Sequence, residues 1–198
     1  MKNTNFLLYA LLCLSLNSAW AADPQNSSTV SSDEPKNINV AAKKADKPKE
    51  DLPNFHEVHP FLYRSGEPTE AGLRKLKEMG IKTLIDLRAP SERAFDEGKA
   101  AEALGMKYIM LTMTSAPPTQ KQVDKMLKTI KEAKDEAKNG SVLVHCAHGS
   151  DRTGCMLGIW RVTQENWSYD EAYKEMRKYW FTPKFTKLAD AVKIRAKS

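Results

Sequence analysis

Ser141-Val142-Leu143-Val144-His145-Cys146-Ala147-His148-Gly149-Ser150-Asp151-Arg152-Thr153-Gly154 is the stretch that decides the fold. The run Val142 to Val144, launched from the turn pair Asn139-Gly140, predicts a strand over Ser141 to His145. Met156, Leu157, Ile159 and Trp160 then predict an apolar helix starting at Arg152. The loop between them caps a helix N-terminus. Unpaired N–H groups and the positive end of the helix dipole favour an anion there, and successive amides of a tight loop can form a nest around it. Gly149 lets such a loop turn without a Cβ penalty.

The chemistry of the loop follows from its residue types. A thiol of ordinary pKa is mostly protonated near neutrality, and the helix end together with the Arg152 cation lowers that value, which makes Cys146 a ready nucleophile. Arg152 offers a planar fork matched to two phosphoryl oxygens and neutralises charge that gathers on them during transfer. The Thr153 hydroxyl can donate to the Cys146 sulfur when that sulfur becomes the leaving group.

Strand and helix alternate around this junction. Tyr63 lies in a short strand, Thr69 caps a helix that ends near Met79 with Gly80 just past it, and Ile81 to Leu87 makes an apolar strand. Ser91 opens a second helix that stops before Gly105, and Met106 to Leu111 reads as another strand. Thr119 caps a long amphipathic helix with Val123, Met126, Leu127 and Ile130 on one face and solvated lysines opposite. A helix with a Ser168 to Glu171 capping box, Tyr173 and Met176 inward, and a basic C-terminal helix complete the chain. The expected fold is α/β, a mostly parallel central sheet of four or five strands flanked by helices, with ligands at the strand C-termini.

His-Cys-x5-Arg-Thr-Gly, as it stands at residues 145–154, resembles the signature of the cysteine-dependent protein tyrosine and dual-specificity phosphatases. Phe61-Leu62-Tyr63-Arg64-Ser65-Gly66-Glu67-Pro68-Thr69 and Gly80-Ile81-Lys82-Thr83-Leu84-Ile85-Asp86-Leu87-Arg88 resemble the opening of small bacterial and plant or fungal members. The likeness covers roughly residues 54–182. It implies a two-step transfer through a phosphocysteine intermediate, then attack by water, with neither metal nor cofactor. It also implies Cys146 as nucleophile, Arg152 as phosphate ligand, Thr153 as hydroxyl donor and His145 as the residue that helps set the thiol environment. Ala147, His148, Gly149, Ser150 and Asp151 would complete the substrate-binding loop.

One part of the family pattern is missing. The general acid is expected on a separate upstream loop, yet Leu111 to Thr119 contains no carboxylate, and Asp124 falls inside the following helix. Asp151 is the first candidate, placed beside Arg152 as an aspartate is in myotubularin-like lipid phosphatases; the alternative is a solvated carboxylate favoured by the helix dipole. Asp86, Asp96 and Glu97 come next, Asp86 reading as a strand end and Asp96 with Glu97 as solvated helix surface. His148 is either a cation beside the phosphate or a polar rim residue. Trp167, Tyr179, Trp180 and Phe181 read as core rather than pocket wall.

Lys2, the apolar run Phe6 to Leu16 and Ala19-Trp20-Ala21 make a signal peptide over residues 1–21, too short for a membrane span. Residues 22–53, rich in Ser, Asn, Lys, Asp and Pro, read as a disordered linker, and residues 54–198 as one dual-specificity-phosphatase-like catalytic domain. The expected location is the periplasm. Of three cysteines, Cys13 leaves with the signal; Cys155 reads as a core residue of the site helix rather than a redox partner of Cys146. A formal net charge of +6 suits anionic partners, with no pattern for nucleic-acid recognition and no signal for an oligomeric state. The expected partner is a phosphorylated substrate: protein, lipid or inositol phosphate. A phosphate-binding pseudophosphatase and a rhodanese-like sulfurtransferase are the alternatives.

Overall fold

The computed structural model describes residues 50–135 and 140–196, so the expected signal peptide and the linker up to residue 49 lie outside the described residues. Five strands form one sheet in the order β1-β2-β5-β3-β4. They are β1 (His56–His59), β2 (Leu62–Ser65), β3 (Ile81–Asp86), β4 (Lys107–Met110) and β5 (Ser141–His145). β5 pairs in parallel with β2 and β3, β3 pairs in parallel with β4, and only β1 runs antiparallel, to β2. The expected mostly parallel sheet is therefore present.

Central strands buried on both faces are apolar on both faces. Along β5, Val142 and Val144 join the cluster under α3 (Gln120–Asp135), α4 (Asp151–Gln164), α5 (Tyr169–Lys178) and α6 (Thr186–Lys193), whereas Leu143 points into the opposite layer. That opposite layer holds Leu73 and Leu76 of α1 (Glu70–Glu78) and Ala101 of α2 (Glu92–Ala103). α3 buries Val123, Met126, Ile130 and Ala133, with Leu127 half-buried beside them and its lysines exposed.

The caps read from sequence at Thr69, Ser91 and Ser168 hold their helix starts. Thr69 Oγ1 accepts the Gly72 N–H, Ser91 Oγ accepts the Ala94 N–H, and the Ser168–Glu171 capping box is complete. Three features differ from expectation. The antiparallel strand β1 has no alternating apolar signal in His56-Glu57-Val58-His59. Of the aromatic group, Phe181 is core, but Trp180 is 70% exposed. It occupies a left-handed position (φ 68°) just past α5, where the Phe181 N–H returns to the Met176 carbonyl and turns the Trp180 side chain outward.

The third difference lies at residues 51–53, the last of the expected linker. The Asp51 carboxylate accepts the Thr69 hydroxyl at 2.7 Å and pairs with Lys75 at 2.8 Å, its carbonyl accepts the Thr69 N–H, and the Pro53 carbonyl accepts the Gly66 N–H at 2.6 Å. Residues 51–53 are thus stitched onto α1 and the turn before it.

Candidate active site

β5 ends at His145, α4 starts at Asp151, and the loop between them stands at the C-terminal end of the parallel strands. Cys146 lies at its floor, 2% exposed. Burial, the largest single influence, pushes the thiol up. It is outweighed by the Thr153 hydroxyl, the backbone N–H groups of Thr153 and His148 and the Arg152 charge, so the thiol titrates below its ordinary value. The Thr153 hydroxyl is fully buried and bonds no nitrogen or oxygen, which leaves it to the sulfur. Ser150 makes no side-chain cap to α4, so no cap occupies the amides of its first turn.

Arg152 is half-buried, and its Nη1 donates to the carbonyls of Leu87 and Met113, both at 3.4 Å. Those contacts hold the guanidinium beside a cavity of about 450 Å³ whose walls include Thr114, His148, Asp151, Arg152, Lys184 and Phe185. Cys155 faces away: fully buried, it donates to the Leu188 carbonyl at 3.3 Å, and burial pushes its thiol up to about 12.

Asp151 lines the same cavity, half-buried. Its Oδ1 accepts the Thr182 N–H at 2.7 Å and its Oδ2 accepts the Ser150 hydroxyl at 3.3 Å. His148 is exposed on the rim. The segment Leu111 to Thr119 reaches the cavity through Thr114 and Ser115 and brings no carboxylate with it.

Glu97 corrects one expectation. Instead of solvated surface, it is buried on α2 between Ala94, Gly98 and Ala101, while its neighbour Asp96 is exposed. The His145 Nε2 lies 3.0 Å from Glu97 Oε1, and its Nδ1 lies 3.9 Å from Asp86 Oδ1. Burial, the largest influence on His145, pulls its pKa down, but the two carboxylates outweigh it and hold the imidazole above its ordinary value. Arg88 closes the group by pairing with Glu67 at 2.6 Å, Asp86 at 2.8 Å and Glu97 at 2.9 Å. Asp86, Glu97 and His145 also bring ligand-type atoms within 4.8 Å of one another, among the described residues. That space already has a cation, the Arg88 guanidinium.

A family model described as DSP-PTPase phosphatase fused to NAD+ kinase matches residues 36–193. The chain belongs to that family. It is a family of cysteine-dependent, dual-specificity-like phosphatases, and the match spans the loop at 145–154. Among relatives, dual specificity protein phosphatase TpbA of Pseudomonas aeruginosa is 27% identical over 127 residues, 63% of this chain and 54% of that one. Inositol diphosphatase DSP3 of Arabidopsis thaliana is 31% identical over 127 residues, 63% of this chain and 61% of its own length. The chain thus matches about half the length of the first of these relatives. The fold is shared with the core catalytic domain of the PP-IP phosphatase SIW14 from Saccharomyces cerevisiae, at a TM-score of 0.61, 24% identity and coverage of 72% of this chain and 85% of that one.

In this dual-specificity-like loop the backbone leaves no room for change at Gly149. Its φ is +70°, and a Cβ there would stand 2.5 Å from backbone atoms of Ser65 and Gly66. Gly149→Ala is expected to cost about 2–3 kcal/mol in stability from the strained conformation and forced backbone shift. It should also lower turnover about 100-fold by displacing the anion site. Thermal melting and steady-state rates check both, and wild-type values in either would show that the loop tolerates the shift.

Proposed function

We propose that the protein is an exported phosphatase that hydrolyses phosphate esters or anhydrides through a phosphocysteine intermediate, with an inositol phosphate bearing a diphosphate group as the favoured substrate class. The observation that carries the substrate choice is the segment Leu111 to Thr119, which lines the cavity without a carboxylate. An alkoxide leaving group needs a proton from a positioned acid. A phosphate leaving group, whose second pKa is about 6, departs without one. The relatives named inositol diphosphatases support the same class, as does the cationic wall formed by Arg152 and Lys184.

In this mechanism the Cys146 thiolate attacks phosphorus while Arg152 and the loop amides bind the equatorial oxygens, and the leaving oxygen departs toward the cavity. Water then attacks phosphorus, the S–P bond breaks, and the Thr153 hydroxyl donates to the departing sulfur. Asp151, on the cavity wall, is the group placed to protonate poorer leaving groups. The leader over residues 1–21 supports export to the periplasm.

The test is a leaving-group series run on the full chain: a diphosphorylated inositol phosphate, phenyl phosphate and a phosphoserine peptide, from pH 4 to 8. Rates are expected to fall steeply in that order. The loss caused by Asp151→Asn should grow along the series to about 100-fold for the phosphoserine peptide. Equal rates across the series would sink the diphosphate assignment, and an equal loss at every substrate would make Asp151 a structural part of the α4 start. Tight phosphate binding with no turnover of any substrate would favour a pseudophosphatase.

A further inference from the structure

The outer side of the phosphate loop is tied down by residues far away in sequence. The Glu67 N–H donates to the Ala147 carbonyl at 3.2 Å, and Asn54 Nδ2 donates to the His148 carbonyl at 3.4 Å and the Gly149 carbonyl at 3.1 Å. Arg64 Nη2 donates to the same Gly149 carbonyl at 2.7 Å. In a trans peptide the C=O and the following N–H point in opposite directions. Holding these three carbonyls outward therefore aims the N–H groups of His148, Gly149 and Ser150 into the loop, and the His148 N–H is among the groups that hold the Cys146 thiol below its ordinary value.

Arg64 is the unusual member of this set. It is 1% exposed, and among the described residues it forms no ion pair with a carboxylate. Its guanidinium carbon lies 4.3 Å from the centre of the Tyr179 ring, and its Nε has no partner. A buried cation without a carboxylate is costly unless another anion answers it. Burial, the main influence, pushes Arg64 down to about 10, which leaves it charged at neutral pH, with Glu175, Tyr179 and Cys146 acting in the opposite sense. Glu175 is itself engaged by both Nε and Nη2 of Arg161.

We infer that Arg64 and Asn54 are positioning residues for the anion site: together they hold the loop carbonyls outward, and Arg64 sets a second buried cation behind the Cys146 thiolate and its bound phosphate. The inference rests on the phosphatase reading for the identity of the anion. It gives the Tyr63-Arg64-Ser65-Gly66 stretch a physical task. β2 carries Arg64 on the Leu62 side of the strand, and the turn at Gly66 passes so close under the loop that a Cβ there would meet the Ala147 carbonyl at 3.1 Å.

The experiment follows Cys146 alkylation by iodoacetate against pH, read at that residue by mass spectrometry, together with calorimetric binding of inorganic phosphate. It uses the full chain with Arg64→Gln, Arg64→Lys and Asn54→Ala. In a folded Arg64→Gln protein the alkylation midpoint should rise by about one pH unit. Phosphate should bind about tenfold more weakly. Arg64→Lys, which keeps the charge, should return the midpoint toward wild type. A folded glutamine variant with wild-type midpoint and affinity overturns the inference. If that variant does not fold, Asn54→Ala decides, since unchanged phosphate affinity there refutes the tethers. Neither readout needs turnover, so a wild-type chain that hydrolyses neither phosphate esters nor the diphosphate would refute the phosphatase reading while these measurements still judge Arg64.

Discussion

Cys146→Ser lowers turnover of an aryl phosphate by at least about 10⁴-fold while inorganic phosphate continues to bind. The substitution removes little volume, so the amides of His148 and Thr153 and the Arg152 fork keep their places. What it removes is ionisation. The Thr153 hydroxyl, the two N–H groups and Arg152 together bring a thiol below its ordinary value against the opposing effect of burial. A serine hydroxyl starts far too high for the same contacts to ionise it near neutrality. Steady-state rates with 4-nitrophenyl phosphate and calorimetry with phosphate measure the two halves of the expectation. A serine variant retaining more than about 1% of the wild-type rate would rule out the covalent route.

Arg88→Met is expected to cost about 3–5 kcal/mol of folding stability, the scale for stripping one partner from a buried ion group. That is a large fraction of what holds a domain of this size together. Arg88 is the cation shared by Glu67, Asp86 and Glu97, and its Nε also donates to Asp86. Methionine fills the space but takes away the cation the three carboxylates share; among the described residues His145 stays beside Glu97 and the exposed Arg93 stays on Glu67. Urea unfolding monitored by circular dichroism measures the loss, and a change under about 1 kcal/mol would mean that solvent reaches the group. A folded remnant of this variant should also be less active, because His145 both belongs to the group and immediately precedes Cys146.

The strand, loop and helix around Cys146 were readable because every requirement is contiguous: an apolar run, a glycine at a left-handed position and an arginine at the helix start. The helix caps at Thr69, Ser91 and Ser168 were readable for the same reason. β1 was not, since a polar edge strand paired on one side only needs no apolar alternation. Glu97 was misread because a carboxylate on a helix is ordinarily solvated. The contrary signal was Ala94, Gly98 and Ala101 at helical spacing on the same face. Trp180 was misread as core because aromatic composition does not reveal that the second residue past a helix takes a left-handed turn and points outward. Arg64 left a trace, a charged residue on the inward side of a strand beside Leu62, but its hydrogen-bond partner is the Gly149 backbone carbonyl, 85 residues away, which no local pattern encodes.

Asp51 to Pro53 give the chain an entry that is also a foundation. A Cβ on Gly72 would stand 2.1 Å from the Asp51 carbonyl, so this segment runs flush along α1, and the Pro53 carbonyl grips the same Gly66 that underlies the phosphate loop. A cut within Asp51 to Pro53 would therefore loosen α1 and the Gly66 turn together, so the floor beneath the nucleophile is held from a stretch nearly a hundred residues earlier in the chain.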